Sequence, residues 1–213
     1  MSTTKGVEQI LEQVAAPDTK MGDLRKIAKD IKKDHELAMN LWQTANFHAR
    51  LLAMLILDVK QLDAETVNQL LDDTAKHPTD QKLQLSEWFM ANQLSKNKNT
   101  IAMLESWENS ERSLQRRLFW YYQARLRWTG QKPPPNTEEL LQKIEQGILH
   151  EEPEVQWAMN FTAAQIGVFM PEHRERCIQL GLDTGLYKDE VVPRGCVPSY
   201  LPEFIPIQVS KIK

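Results

Sequence analysis

The chain has little cysteine and little glycine. Two cysteines, Cys177 and Cys196, cannot build a disulfide framework, and no CxxC or histidine-rich ligand cluster accompanies them. No metal or cofactor is expected. Glycine occurs only eight times, and no Gly-rich phosphate loop, nucleophile elbow or dinucleotide fingerprint is present. Long apolar runs are missing as well: the longest, Leu51 to Leu57, directly follows Arg50 and is far shorter than the roughly 20 residues that span a bilayer. The N-terminus has no apolar block of the signal-peptide kind, so a cytoplasmic protein without membrane contact is expected. Positive charge is not in excess, since 26 Lys and Arg against 29 Asp and Glu give −3 and a pI near 6.0. A nucleic-acid-binding surface therefore has to be a local patch.

Apolar residues recur at three- and four-residue spacing, and 41% hydrophobic content with six Trp supplies a sizeable core for 213 residues. Helices are expected at 4–15, 22–32, 34–43, 46–59, 65–75, 79–95, 98–108, 111–129, 136–148, 152–168 and 171–186, with no strand. Pro17, the pair His77 and Pro78, and the run from Gly130 to Pro135 break the array. Asn136 with Glu139 reads as an N-cap and capping box. Trp42 to Arg50 followed by an apolar helix is echoed by Trp107 to Arg116 and Arg117, and a third copy runs from Gly147 through Phe161 and beyond. Helix pairs that cannot bury their faces alone stack on one another. The expected fold is thus all-α, a HEAT-like α-α superhelical repeat solenoid, with a compact helical bundle as the alternative. Residues 1–187 form its single domain. Residues 188–213, rich in proline and carrying Cys196, form a capping tail of that domain rather than an ordinary long helix.

Three segments carry a family resemblance: Gly22 to Ile31 followed by Leu41, Trp42 and Arg50 to Leu57; Leu85 to Leu94 followed by Ser106 to Arg117; and Glu152 to Phe161. In order and spacing they resemble the AlkD-like HEAT-repeat DNA alkylation-repair family, the 3-methyladenine/7-methylguanine DNA glycosylases. The resemblance implies a solenoid that holds duplex DNA on a basic concave face. It also implies an aromatic cleft for a cationic N-alkylated purine, and a carboxylate that assists cleavage of the N-glycosidic bond. A cationic base leaves readily, so such a site needs only to hold it by cation–π contact and stabilise the developing sugar cation.

Carried onto this chain, the base-holding aromatics are Trp88 and Phe161, with Trp157 one turn before Phe161 as a second source of a ring. The carboxylate position, four residues after Trp88, is Asn92, an amide without charge. Glu87 is five residues from Asn92, roughly 140° around the helix, and cannot simply replace it. The family's early Tyr has no counterpart between Ala15 and Asp23. Arg116 matches a DNA-backbone position, with Arg112 a turn earlier and Arg127 farther along, and Lys96 and Lys98 could extend this basic array. An Arg-rich helix also serves as an ordinary solvated face. The acids from Glu151 to Glu154 around Pro153 suit a helix start without any catalytic role. Three functions remain open: excision of alkylated purines by a cofactor-free monomer, DNA binding without excision, and a protein-interaction scaffold.

Overall fold

The computed structural model describes residues 2–14, 19–128 and 132–212. Within them the chain is helical and divides into two compact units, Met1–Glu105 and Ser106–Lys213. The expected breakers Pro17 and Gly130 lie outside the described residues.

The first unit contains α1 (Ser2–Val14), α2 (Met21–Ile31), α3 (His35–Gln43), α4 (Phe47–Ile56), α5 (Ala64–Ala75) and α6 (Thr79–Asn92), and α7 (Lys98–Ser106) follows. The apolar run after Arg50 becomes the central helix: α4 packs against α2, α3 and α6, and Ala49 to Met54 are all buried. An apolar surface on every side is what a helix surrounded by others requires. Side-chain caps set the starts. Asp34, Asn46 and Asp63 accept from the main-chain N–H three residues on, at 3.0, 3.0 and 2.8 Å. At the far end of α4, Gln93 Nε2 donates to the carbonyls of Met54 (2.6 Å) and Leu57 (3.3 Å), satisfying acceptors that a helix terminus leaves open.

The Trp-to-Arg segment ties the α3–α4 turn together. Arg50 stacks on Trp42 with its guanidinium carbon 4.7 Å from the ring centre, and its Nε donates to the Trp42 carbonyl at 3.1 Å. Trp42 Nε1 in turn donates to Asp73 at 3.1 Å. In the second unit Arg116 Nη1 reaches back in the same sense to the Ser110 carbonyl, at 2.6 Å.

That unit holds α8 (Ser113–Trp128), α9 (Thr137–Gly147), α10 (Pro153–Phe169), α11 (Arg174–Thr184) and α12 (Leu201–Val209). Helix α10 is its axis, packed most extensively along α8 and also against α9, α11 and α12. It opens with Pro153 in its first turn, as expected, because that position needs no N–H donor. Thr162 Oγ1 donates to the Trp120 carbonyl at 2.7 Å and pins α10 to α8. Asn136 stands at the N-cap of α9 but makes no capping bond. Its amide lies between Arg127 Nη2 (3.1 Å) and Gln123 Oε1 (3.2 Å), because two partners on α8 outcompete one main-chain donor.

The tail carries a helix that its prolines argue against. Pro202 falls in the first turn of α12, where a missing N–H costs nothing, and Pro206 is the one interior proline of a helix only nine residues long. Docking supplies the remaining stability. Leu201 and Ile205 are buried against α10 and α11, whose approach is made possible by Gly167 and Gly181. A Cβ at Gly167 would lie 2.5 Å from Ile205 Cδ1, and one at Gly181 would lie 2.5 Å from Pro202 Cδ.

Candidate functional site

In the first unit the site centres on Trp88, half-buried on α6. Its Nε1 donates to the Leu51 carbonyl on α4 at 3.0 Å, which fixes the ring. The guanidinium carbon of the exposed Arg25, from α2, lies 4.9 Å from the ring centre. One face of this indole is therefore already occupied by a cation of the chain itself. Asn92, one turn along α6, donates its Nδ2 to the Trp88 carbonyl at 2.8 Å. The amide is thereby turned onto its own helix, leaving its oxygen to accept from other groups.

In the second unit five aromatic side chains gather from three helices. Trp157 and Phe161 stack on α10, with ring centres 5.0 Å apart and planes 15° apart. Tyr121 of α8 stacks on Phe161 (5.7 Å, 19°) and on Trp157 (6.2 Å, 25°). Trp128 and Phe204 meet Phe161 edge-on at 5.4 and 6.5 Å. Arg117, 2% exposed, packs over Trp157 (5.0 Å) and Tyr121 (5.7 Å). Tyr187 is half-buried nearby, and its hydroxyl is pushed up to about 12, by burial first and by Glu190 next, with Arg117 opposing. Two recesses flank Phe161 and Phe204. One, of about 360 Å³, is bounded by Trp128, Gln165 and Lys211; the other, of about 160 Å³, by Trp157, Asn160 and Ser199.

The three arginines of the expected basic array have three different environments. Arg112 is exposed just before α8. Arg116 is half-buried and faces two acids, Glu151 at 3.0 Å and Glu152 in closer contact still. Glu151 first, and Glu152 with it, strengthens the guanidinium's hold on its proton against the opposing effect of burial. Arg127 is 4% exposed and bonds inside the unit to the Gln123 carbonyl (2.8 Å), Asn136 (3.1 Å) and Thr137 (3.0 Å). Burial lowers it to about 10. A continuous stripe of these three does not form, because the face of α8 that bears Arg127 turns against α9. The acids at the start of α10, expected only to complement the helix dipole, also hold α8: Glu151 and Glu152 through Arg116, and Glu154 through Ser113 Oγ at 2.7 Å.

The sequence assigns no site role to Arg25, Arg117 or Tyr121. The four-residue spacings from Arg117 to Tyr121 and from Trp157 to Phe161 are the signal that could have joined them, since such pairs lie one above the other on a helix. Arg25 over Trp88 joins residues 63 positions apart, and no local pattern announces it. Among the described residues no group of three or more His, Cys, Asp or Glu could hold a metal ion, and no helix is long and apolar enough to cross a membrane.

Comparison with known proteins bears on the whole arrangement. No curated protein matches the chain significantly. Among solved structures it is similar to a protein described as one of a new family related to the HEAT-like repeat DNA glycosylases with affinity for branched DNA structures. The two share 20% sequence identity and a TM-score of 0.71, over 97% of this chain and 88% of the other. The likeness identifies the paired helices as a HEAT-like repeat fold. The profile of the DNA alkylation repair enzymes matches residues 10–179, a span that takes in Trp88, Asn92, the arginines of α8 and the aromatic stack of α10. On the strength of that match over most of its length, the chain belongs to the DNA alkylation repair enzyme family.

Proposed function

We propose that this protein binds DNA, with a preference for branched structures, and does not excise bases from it. The observation that carries this reading is the pair Trp88 and Asn92. An excising site needs negative charge near the sugar as the glycosidic bond breaks. The residue at the expected position is a neutral amide bound to the Trp88 carbonyl, and Arg25 covers the ring on which a cationic base would rest. Affinity for branched DNA in the structurally similar protein supplies the choice of substrate. In this reading Arg112 contacts phosphate, Arg116 does so only after parting from Glu151 and Glu152, and Arg127 serves as an internal tie. Trp157 and Phe161 act as a packed wall, their faces already shared with each other and with Tyr121.

The test pairs two measurements on the same preparation. Titration of a fluorescent four-way junction and of a duplex of equal length should give tighter binding to the junction, weakening as salt rises. Incubation with methylated DNA should release no free purine above the protein-free background. Equal affinity for both DNAs, absence of binding, or catalytic release of purine each overturns the reading.

A further inference from the structure

Helix α2 and its C-terminal end carry the densest run of positive charge in the chain. Between residues 20 and 33 stand Lys20, Arg25, Lys26, Lys29, Lys32 and Lys33 against only Asp23 and Asp30, in a protein whose net charge is −3. Packing sorts these residues. Leu24 is buried in the unit, whereas Arg25, Lys26, Lys29, Lys32 and Lys33 are exposed. At about 100° per residue Lys29 projects roughly 40° from Arg25, along one outer face.

Two of the acids near α2 serve its other cations. Asp23 pairs with Lys26 at 3.4 Å and Asp58 with Lys33 at 3.5 Å. Among the described residues no carboxylate lies within ion-pair distance of Arg25, Lys29 or Lys32. An ordinary solvated helix face places acids three or four residues from its bases. Around Lys29 the two positions on the preceding turn are Arg25 and Lys26, and Lys32 and Lys33 follow just past the helix end, all cations. The dipole at the helix C-terminus favours Lys29 and its followers, and Asp23 pairs with Lys26, but neither accounts for Arg25. Like charges so placed repel one another, and an anion laid along the face relieves that repulsion.

Arg25 also differs from a free surface arginine. Its guanidinium rests on Trp88, and Trp88 is itself held by the Leu51 carbonyl. A guanidinium stacked on a ring keeps its N–H donors free at the edges and loses less freedom when it takes up an anion. Building on the DNA-binding reading above, we propose that Arg25, Lys29 and Lys32 form a phosphate-binding stripe for the DNA backbone, with Trp88 as the platform that orients Arg25. Trp88 is then a positioning residue, with its indole devoted to the chain's own cation rather than to a base.

Binding of the four-way junction is measured from about 50 to 200 mM salt for the full chain and for the triple variant Arg25→Ala, Lys29→Ala, Lys32→Ala. Each phosphate that is no longer neutralised lowers the slope of log K against log salt by about 0.9. The triple variant should therefore drop by roughly two to three units of slope and bind at least tenfold more weakly at low salt, with no sequence preference altered. Its thermal midpoint should match or exceed that of the parent, because repulsion has been removed; a merely structural role predicts the opposite. Lys60→Ala and Lys82→Ala, in the same unit but outside the stripe, should keep the parental slope. An unchanged slope in the triple variant overturns the stripe while DNA binding stands. A parent chain that binds no DNA overturns both.

Discussion

Asn92 Nδ2 and the Trp88 carbonyl are 2.8 Å apart, a side chain closing back onto the preceding turn of its own helix. The bond defines what a carboxylate would meet at this position: a lone-pair acceptor, unable to receive a hydrogen bond from an ionised group. Asn92→Asp should accordingly destabilise the fold by about 1 kcal/mol, the net worth of one such bond. It should release no alkylated purine, since Arg25 remains over Trp88. Urea denaturation reads the first expectation and assay of purine freed from methylated DNA reads the second; appreciable release by this single variant would show that charge alone was missing.

Arg116 is held by Glu151 and Glu152, so an approaching phosphate competes with two carboxylates. Glu151→Gln combined with Glu152→Gln should steepen the salt dependence of DNA binding by roughly 0.9, equivalent to one phosphate contact. The decrease in stability should stay near 1 kcal/mol, because Glu152 and part of the cluster are open to water and screened. Unchanged DNA affinity in this variant would place Arg116 outside the binding surface.

Gly167 and Gly181 face α12 at equal distances but against different atoms. The nearest obstacle at Gly167 is the Cδ1 end of the Ile205 side chain, with Cys177 Cβ at 3.0 Å, whereas at Gly181 it is the ring of Pro202 and, at 2.8 Å, Leu201 Cβ. Overpacking of this kind costs about 1–3 kcal/mol, offset by up to about 1 kcal/mol of improved helix propensity. Gly181→Ala should therefore be the more damaging, by about 1–2 kcal/mol net, and Gly167→Ala close to neutral. Chemical denaturation of the two variants side by side gives the order, and a reversed order would mean that α12 shifts as a body.

Cys177 is buried and Cys196 exposed. Burial, the largest influence, pushes the Cys177 thiol from 9.0 up to about 12, so the folded state favours the protonated form. Its contribution to stability is complete below pH 9 and is lost as pH rises from there towards 12. At pH 8 a thiol reagent should modify one cysteine quickly in the native protein and the second only after unfolding. Rapid reaction of both would show that α11 opens readily from α10.

Much of this was legible in the order of residues. The eleven expected helices correspond to α1 through α11, because their apolar spacing and the capping residues Asp34, Asn46 and Asp63 act locally. The twelfth escaped because Pro202 and Pro206 argue against a helix within the segment, while the support for it comes from α10 and α11. The three arginines on or just before α8 illustrate the same limit within the site. By type and spacing they are alike, yet one is exposed, one is held by acids and one is buried. Which of these environments each received depends on where α9 and α10 lie.

The sequence by itself determined an all-helical chain of paired repeats and put Trp88 one turn ahead of an uncharged Asn92, since periodicity, caps and the residue at each position are properties of the chain taken locally. Only the tertiary structure decided that Arg25 lies over Trp88 and that Tyr121, Trp128 and Phe204 close around Phe161. Contacts between residues far apart in sequence arise from the burial of helix faces against one another, and no single helix holds the information for that.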